Sequence, residues 1–150
     1  DGELRGWLEA LVKSVSGQIM VIPHGGKARY HAALNFVGAF TVTMYDIATS
    51  IFRTLDMDTP VAHAALYSLM LAAVQNIQAV GLPKALTGPI SRGDASTVAA
   101  HLTALDSPEI DAGILEAYQL IARLTLPIAA AQGTDISELE ILLKGHLNNA

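Results

Sequence analysis

The sequence predicts a mostly all-α fold. Three observations carry that expectation. Apolar residues recur at spacings of three and four through most of the chain, the period of a helix with one buried face. Thr, Ser or Asp at the near end of these stretches and Gly at the far end divide them into helix-length segments. Only one run, QIMVI at 18–22, has the short, β-branched character of a buried strand.

Residues 3–16, ELRGWLEALVKSVS, place Leu4, Trp7, Leu8, Leu11, Val12 and Val15 on one face, predicting an amphipathic helix that ends at Gly17. QIMVI comes next and is stopped by Pro23; a strand there needs partners from elsewhere. From Gly25 to Leu55 the chain has no proline and, within its body, only Gly38, which predicts one long, central, mostly buried helix. Thr59 and Pro60 read as cap and first residue of a helix 61–80 closed by Gly81. KALTGPISRGD, 84–94, is too rich in glycine and proline for a helix and reads as an ordered loop. Asp94 caps a helix 95–105; Ser107 and Pro108 open another, 109–131, ending at Gly133. Thr134 caps the last, 135–144, with Gly145 as its stop.

The composition narrows the class of function. The chain has 150 residues and no cysteine, which excludes a disulfide scaffold or a thiolate site and suits a reducing, cytoplasmic setting. A net charge of -5 argues against nucleic acid as a partner. Fully 51% of residues are hydrophobic and 15% charged, against the usual quarter or so of charged residues. That surplus points to a helical homodimer interface. A membrane hairpin is the poorer account, because Asn35, Asp46, His63, Gln75 and Asn76 interrupt the apolar stretches. The start at Asp1, without an initiator methionine, reads as a piece of something longer.

Several polar residues stand out. Lys27, His31 and Asn35 lie four apart, one stripe near the start of the long helix. Tyr30 falls one residue off that stripe and reads as packing. Asp46, in an apolar stretch, calls for a structural partner such as Arg53, His63 or Arg92. His63 reads as a first-turn residue, and His24, His31 and His63 match no compact zinc spacing, so no metal is expected. In the loop, the glycine-rich backbone around Thr87 and Gly88, with Arg92, suits a carboxylate or a subunit contact.

The order of a helix ending in glycine, QIMVIP, KARYHAAL and then ALTGPISRGDASTVAAHLTAL resembles the family described as domain of unknown function 2520. LTGPISRGD, 86–94, is the most specific piece. The resemblance implies an NAD(P)-dependent reductase with a Rossmann domain followed by a helical domain similar to the C-terminal domains of pyrroline-5-carboxylate reductase and 6-phosphogluconate dehydrogenase. Residues 1–22 then correspond to the last helix and strand of the Rossmann domain, and 23–150 to a helical dimerisation and substrate-cleft domain. In related dehydrogenases a lysine and, four residues later, an asparagine face the nicotinamide; Lys27 and His31 match those positions as catalytic candidates. Asn35, Thr87, Gly88 and Arg92 become substrate or interface candidates. The whole protein would use NAD or NADP and a small C=O or C=N substrate, while the dinucleotide fingerprint is absent from this chain. The alternative is a non-catalytic oligomerisation module. Where the family carries a Ser-Asn pair, this chain has Gly38 and Ala39.

Overall fold

The computed structural model describes residues 2–145. Among them are seven α-helices: α1 (Gly2–Ser14), α2 (Lys27–Val37), α3 (Ala39–Arg53), α4 (Thr59–Val80), α5 (Ala95–Leu105), α6 (Ala112–Ala131) and α7 (Ser137–Gly145). One turn of 3-10 helix, Ile90–Arg92, interrupts the connection between α4 and α5. The all-α expectation holds. The chain divides into two compact units, Asp1–Thr43 and Met44–Ala150.

In the first unit α1 stops where the sequence indicates, by a tighter device than a left-handed glycine. The Ser16 N–H donates to Lys13 O at 3.0 Å and the Gly17 N–H to Val12 O at 2.9 Å, with Ser16 carrying the positive φ of 54°. Gly17 is needed for space: a Cβ there would lie 2.8 Å from Val12 Cγ1. The next apolar run returns along the helix, and Ile19 and Val21 line a shallow groove with Leu8 and Val12. The strand expected at 18–22 does not form. A strand is completed by a neighbour's ladder of hydrogen bonds, and no strand is present among the described residues.

The single long helix is also corrected. Gly38 leaves helical geometry (φ -92°, ψ -89°) and separates α2 from α3, although its N–H still donates to Leu34 O at 2.8 Å. Glycine costs a helix interior about 1 kcal/mol relative to alanine, and a Cβ at 38 would sit only 3.1 Å from Leu34 O. Phe36 and Phe40 pack edge to face across the break, ring centroids 5.1 Å apart. Nor is this stretch mostly buried: α2 buries none of its residues, and α3 only Thr49.

The second unit has the core. Each of three helices supplies one pair at i and i+4: Val98 and Leu102 from α5, Ala122 and Leu126 from α6, Leu139 and Leu143 from α7. Stacking such pairs brings three apolar stripes to one point, and each large side chain fully buried contributes about 1.5–3 kcal/mol. Ile90 and Tyr118 pack against the cluster's rim. Two helix starts move inward from their expected places. Asp111, not Ser107, caps α6, its Oδ1 accepting the Gly113 N–H at 2.7 Å, while Ser107 closes a turn with the Ile110 N–H. Thr134 does not cap α7, because its hydroxyl is committed to Ser91 O at 2.7 Å; Asp135 instead accepts from the N–H and Oγ of Ser137. The expected stop at Gly145 coincides with the last described position of α7. In α4, Thr59 and Pro60 are the first helical residues and Asp58 the cap.

Asp94 caps α5 as expected. Its Oδ1 accepts the Thr97 N–H at 3.0 Å and the Ser96 Oγ at 2.8 Å, and its Oδ2 the Thr97 Oγ1 at 2.6 Å. The Thr97 hydroxyl is the main reason that the carboxyl pKa falls from 3.8 to about 2, with the Thr97 N–H and Ser96 hydroxyl adding to it. Since the folded value lies below the ordinary one, the cap stabilises the fold above 3.8 and that contribution is lost as pH falls through about 2. Asp94→Ala is therefore expected to melt below the parent at neutral pH, with the gap closing through that acid window in a thermal-unfolding series.

Candidate functional site

The candidates fall in two places, one in each unit. In the first, the turn before α2 is closed by the Gly26 N–H donating to Pro23 O at 2.8 Å. Gly25 takes a φ of 75°, and a Cβ on Gly26 would meet Pro23 O at 2.9 Å, so both glycines are required by the turn. Lys27 is the first residue of α2, and His31 and Asn35 come one and two turns later on the same face. All three are exposed, and none makes a side-chain hydrogen bond or ion pair among the described residues. His31 touches the Tyr30 ring, centroids 5.7 Å apart. Tyr30 itself is half-buried and lines a groove with Ile22, Pro23 and Arg29, in keeping with a packing role.

Electrostatics make the start of α2 distinctive. A helix N-terminus concentrates unpaired N–H groups and partial positive charge. Gly26 offers no side chain to satisfy them, the first turn carries no acid, and Lys27 adds a full positive charge to that end. Such an end favours an anion or developing negative charge nearby.

In the second unit the loop between α4 and α5 is tied down by side chains. The Gln132 Nε2 donates to Pro83 O at 2.7 Å and to Leu86 O at 3.0 Å. Asn76 Nδ2 donates to Ala85 O at 2.9 Å, and Thr134 Oγ1 to Ser91 O. At its far end Gly93 passes so close to the α6–α7 connection that a Cβ would lie 2.7 Å from Asp135 O. Four loop carbonyls thus find partners that backbone geometry alone does not supply. The loop is ordered, as the sequence indicates. Thr87 and Arg92 remain exposed on it, and Gly88 takes a φ of 91° with its carbonyl accepting from Ser91 Oγ at 2.8 Å. Thr87 also borders a 510 Å³ groove beside Leu69, Ala73 and Asn76 of α4, which Arg92 does not line.

Some contacts were not legible. Asp46 is exposed and pairs with none of Arg53, His63 or Arg92 among the described residues. The neighbouring Tyr45 takes the place expected for it. Its hydroxyl donates to His63 O at 3.1 Å and meets His63 Nδ1 at 2.9 Å, with the rings stacked at 5.6 Å. Because the hydroxyl proton goes to the carbonyl, Nδ1 is the donor to the phenolic oxygen. A second such pair, His101 Nδ1 and Tyr118 OH at 2.8 Å, joins α5 to α6, and burial raises the Tyr118 pKa. Beside Tyr118 an apolar cavity of about 230 Å³ is lined by Ile47, Ile51, Leu105, Ile114 and Ile121. No group of three or more metal-ligating side chains converges among the described residues.

Gln132 is the test of loop order. Gln132→Ala removes two hydrogen bonds at a partly buried site and is expected to cost about 1–3 kcal/mol in urea unfolding. Amide exchange should quicken over residues 82–93 while the α5 to α7 core keeps its protection.

Comparison with known proteins adds one match: the family model described as Domain of unknown function (DUF2520) covers residues 1–125. No curated protein matches, and no solved structure does.

Proposed function

We propose, from the premise that this chain belongs to the DUF2520 family, that it is the dimerisation and substrate-cleft part of an NAD(P)-dependent oxidoreductase acting on a small C=O or C=N substrate. The observation that carries the proposal is the unpartnered pair Lys27 and His31 at the uncapped, positively biased start of α2. A nicotinamide, when bound, supplies the hydride. The described residues hold none of its pyrophosphate, since no strand leads into a glycine turn among them.

The chemistry of the side chains assigns their parts. Reduction of a carbonyl or imine places negative charge on oxygen or removes positive charge from nitrogen, and a proton must arrive. The Lys27 ammonium stabilises charge on the oxygen, and the His31 imidazole one turn away donates the proton or a hydrogen bond. Asn35 extends the polar stripe by one turn. The Thr87–Arg92 segment offers N–H groups and a guanidinium to a carboxylate at the substrate's other end. The cytoplasmic setting belongs to the same reading, as does the homodimer. The dimer is supported by α4, whose 22 residues bury only Ala62 and leave Leu69 70% and Val74 57% exposed.

The exposed setting of the α2 stripe, set against so much uncovered apolar surface, favours a second reading: an association module without chemistry. The two part on one experiment in the full-length protein. On the first reading, Lys27→Met and His31→Ala each lower kcat for nicotinamide turnover with small oxo or imino acids by about 100-fold or more, at unchanged helicity. Leu69→Glu weakens the dimer in sedimentation. Turnover untouched by both site variants, with the dimer still lost in Leu69→Glu, leaves the module.

A further inference from the structure

Arg123 is the one buried polar side chain that the fold leaves unsatisfied among the described residues. Its Nη1 is enclosed and has no hydrogen-bond partner. One turn earlier on α6, Gln119 is only 9% exposed and likewise makes no hydrogen bond among the described residues. Elsewhere in this unit interior amides are fully used, Asn76 on Ala85 O and Gln132 on two carbonyls. An enclosed cation with no acceptor marks a place where something outside the chain supplies one.

The rest of that face says what. Glu116, Leu120, Arg123 and Pro127 recur at spacings of four and three, the seam of a helix that packs on another helix. Leu120 is 52% exposed, and Leu124 beside it 63%. Glu116 is exposed and in no ion pair among the described residues, and it lies two turns from Arg123, about 10.5 Å along the axis, too far to reach within one helix. Now turn a second copy of α6 antiparallel about a point between Gln119 and Leu120. Position 116 of each copy then falls opposite 123 of the other, as a two-fold interface requires. By length and composition α6 could also cross a membrane. Lipid, however, offers the Arg123 guanidinium no counter-charge, whereas a second copy offers Glu116.

We infer that two copies of this chain pack α6 against α6 antiparallel across a two-fold axis, with Arg123 of each receiving the Glu116 carboxylate of the other and Leu120 nearest the axis. This rests on the self-association proposed above and specifies the helix that crosses the axis.

Sedimentation equilibrium over a range of protein concentrations reads it directly. Arg123→Glu and Glu116→Arg should each weaken the dimer by about 10-fold or more, and combining them should restore it to within about 3-fold of the parent. That restoration also shows that the single variants failed by charge and not by misfolding. The absence of cysteine provides a second readout: Leu120→Cys should join two chains through a short bis-maleimide, while Thr103→Cys on α5 should not. A parent that stays monomeric overturns the self-association reading and this inference together. A dimer indifferent to both charge reversals, not repaired by the double variant, or not linked through position 120 overturns this inference alone.

Discussion

Three i, i+4 pairs, one from each of α5, α6 and α7, hold the second unit, and its other features hang from them. Val98 with Leu102, Ala122 with Leu126, and Leu139 with Leu143 close a small core in which four side chains lose all contact with water. Once α6 and α7 are fixed by that packing, their connection is fixed too. From it Gln132 and Thr134 reach out to the carbonyls of the α4–α5 loop. The loop's order is therefore borrowed. Its own backbone contributes only local turns, and the tertiary bonds come from residues more than forty positions away in sequence, as the separations of 43, 46 and 49 show.

The same core exposes an imbalance. Eight hydrophobic residues are buried among those described, in a chain of which 51% is hydrophobic. Scattered apolar surface is ordinary. Whole helices without a buried face are not, and α1, α2 and most of α4 are in that condition. Ion pairs do not make up the difference: the two among the described residues, Arg5–Glu9 and Lys144–Glu140, are exposed i, i+4 pairs of the kind that contributes about 0.3–0.5 kcal/mol. Burial by other surfaces is the natural complement, which is why both functional readings include self-association.

The candidate residues were legible to different depths for physical reasons. Lys27, His31 and Asn35 emerged because helical spacing alone aligns them. Thr87, Gly88 and Arg92 emerged because a glycine- and proline-rich run cannot be helix. Tyr45, Gln132 and Arg123 did not emerge, since each matters through something far off in sequence: His63 for the first, loop carbonyls for the second, and a missing acceptor for the third. Asp46 drew attention as the charged residue of its stretch. The helix simply turns it to solvent and turns Tyr45 inward to His63.

By itself the sequence determined the helical class, the ordered loop and the helix ends that depend on nearby atoms: Asp94 bonding to Thr97, Gly17 lying close to Val12, Gly133 at the end of α6 with its φ of 89°. Such features close within five residues and need no partner. Tertiary structure decided the rest. QIMVI has strand composition but no neighbouring strand to complete its hydrogen bonds. The stretch 25–55 has helical composition throughout, yet Gly38 lets it break. Thr134 is as good a cap as Asp94, and a distant carbonyl at Ser91 claims its hydroxyl first. In each case local preference differs by about 1 kcal/mol between alternatives, and packing or a hydrogen bond from elsewhere in the chain is enough to choose.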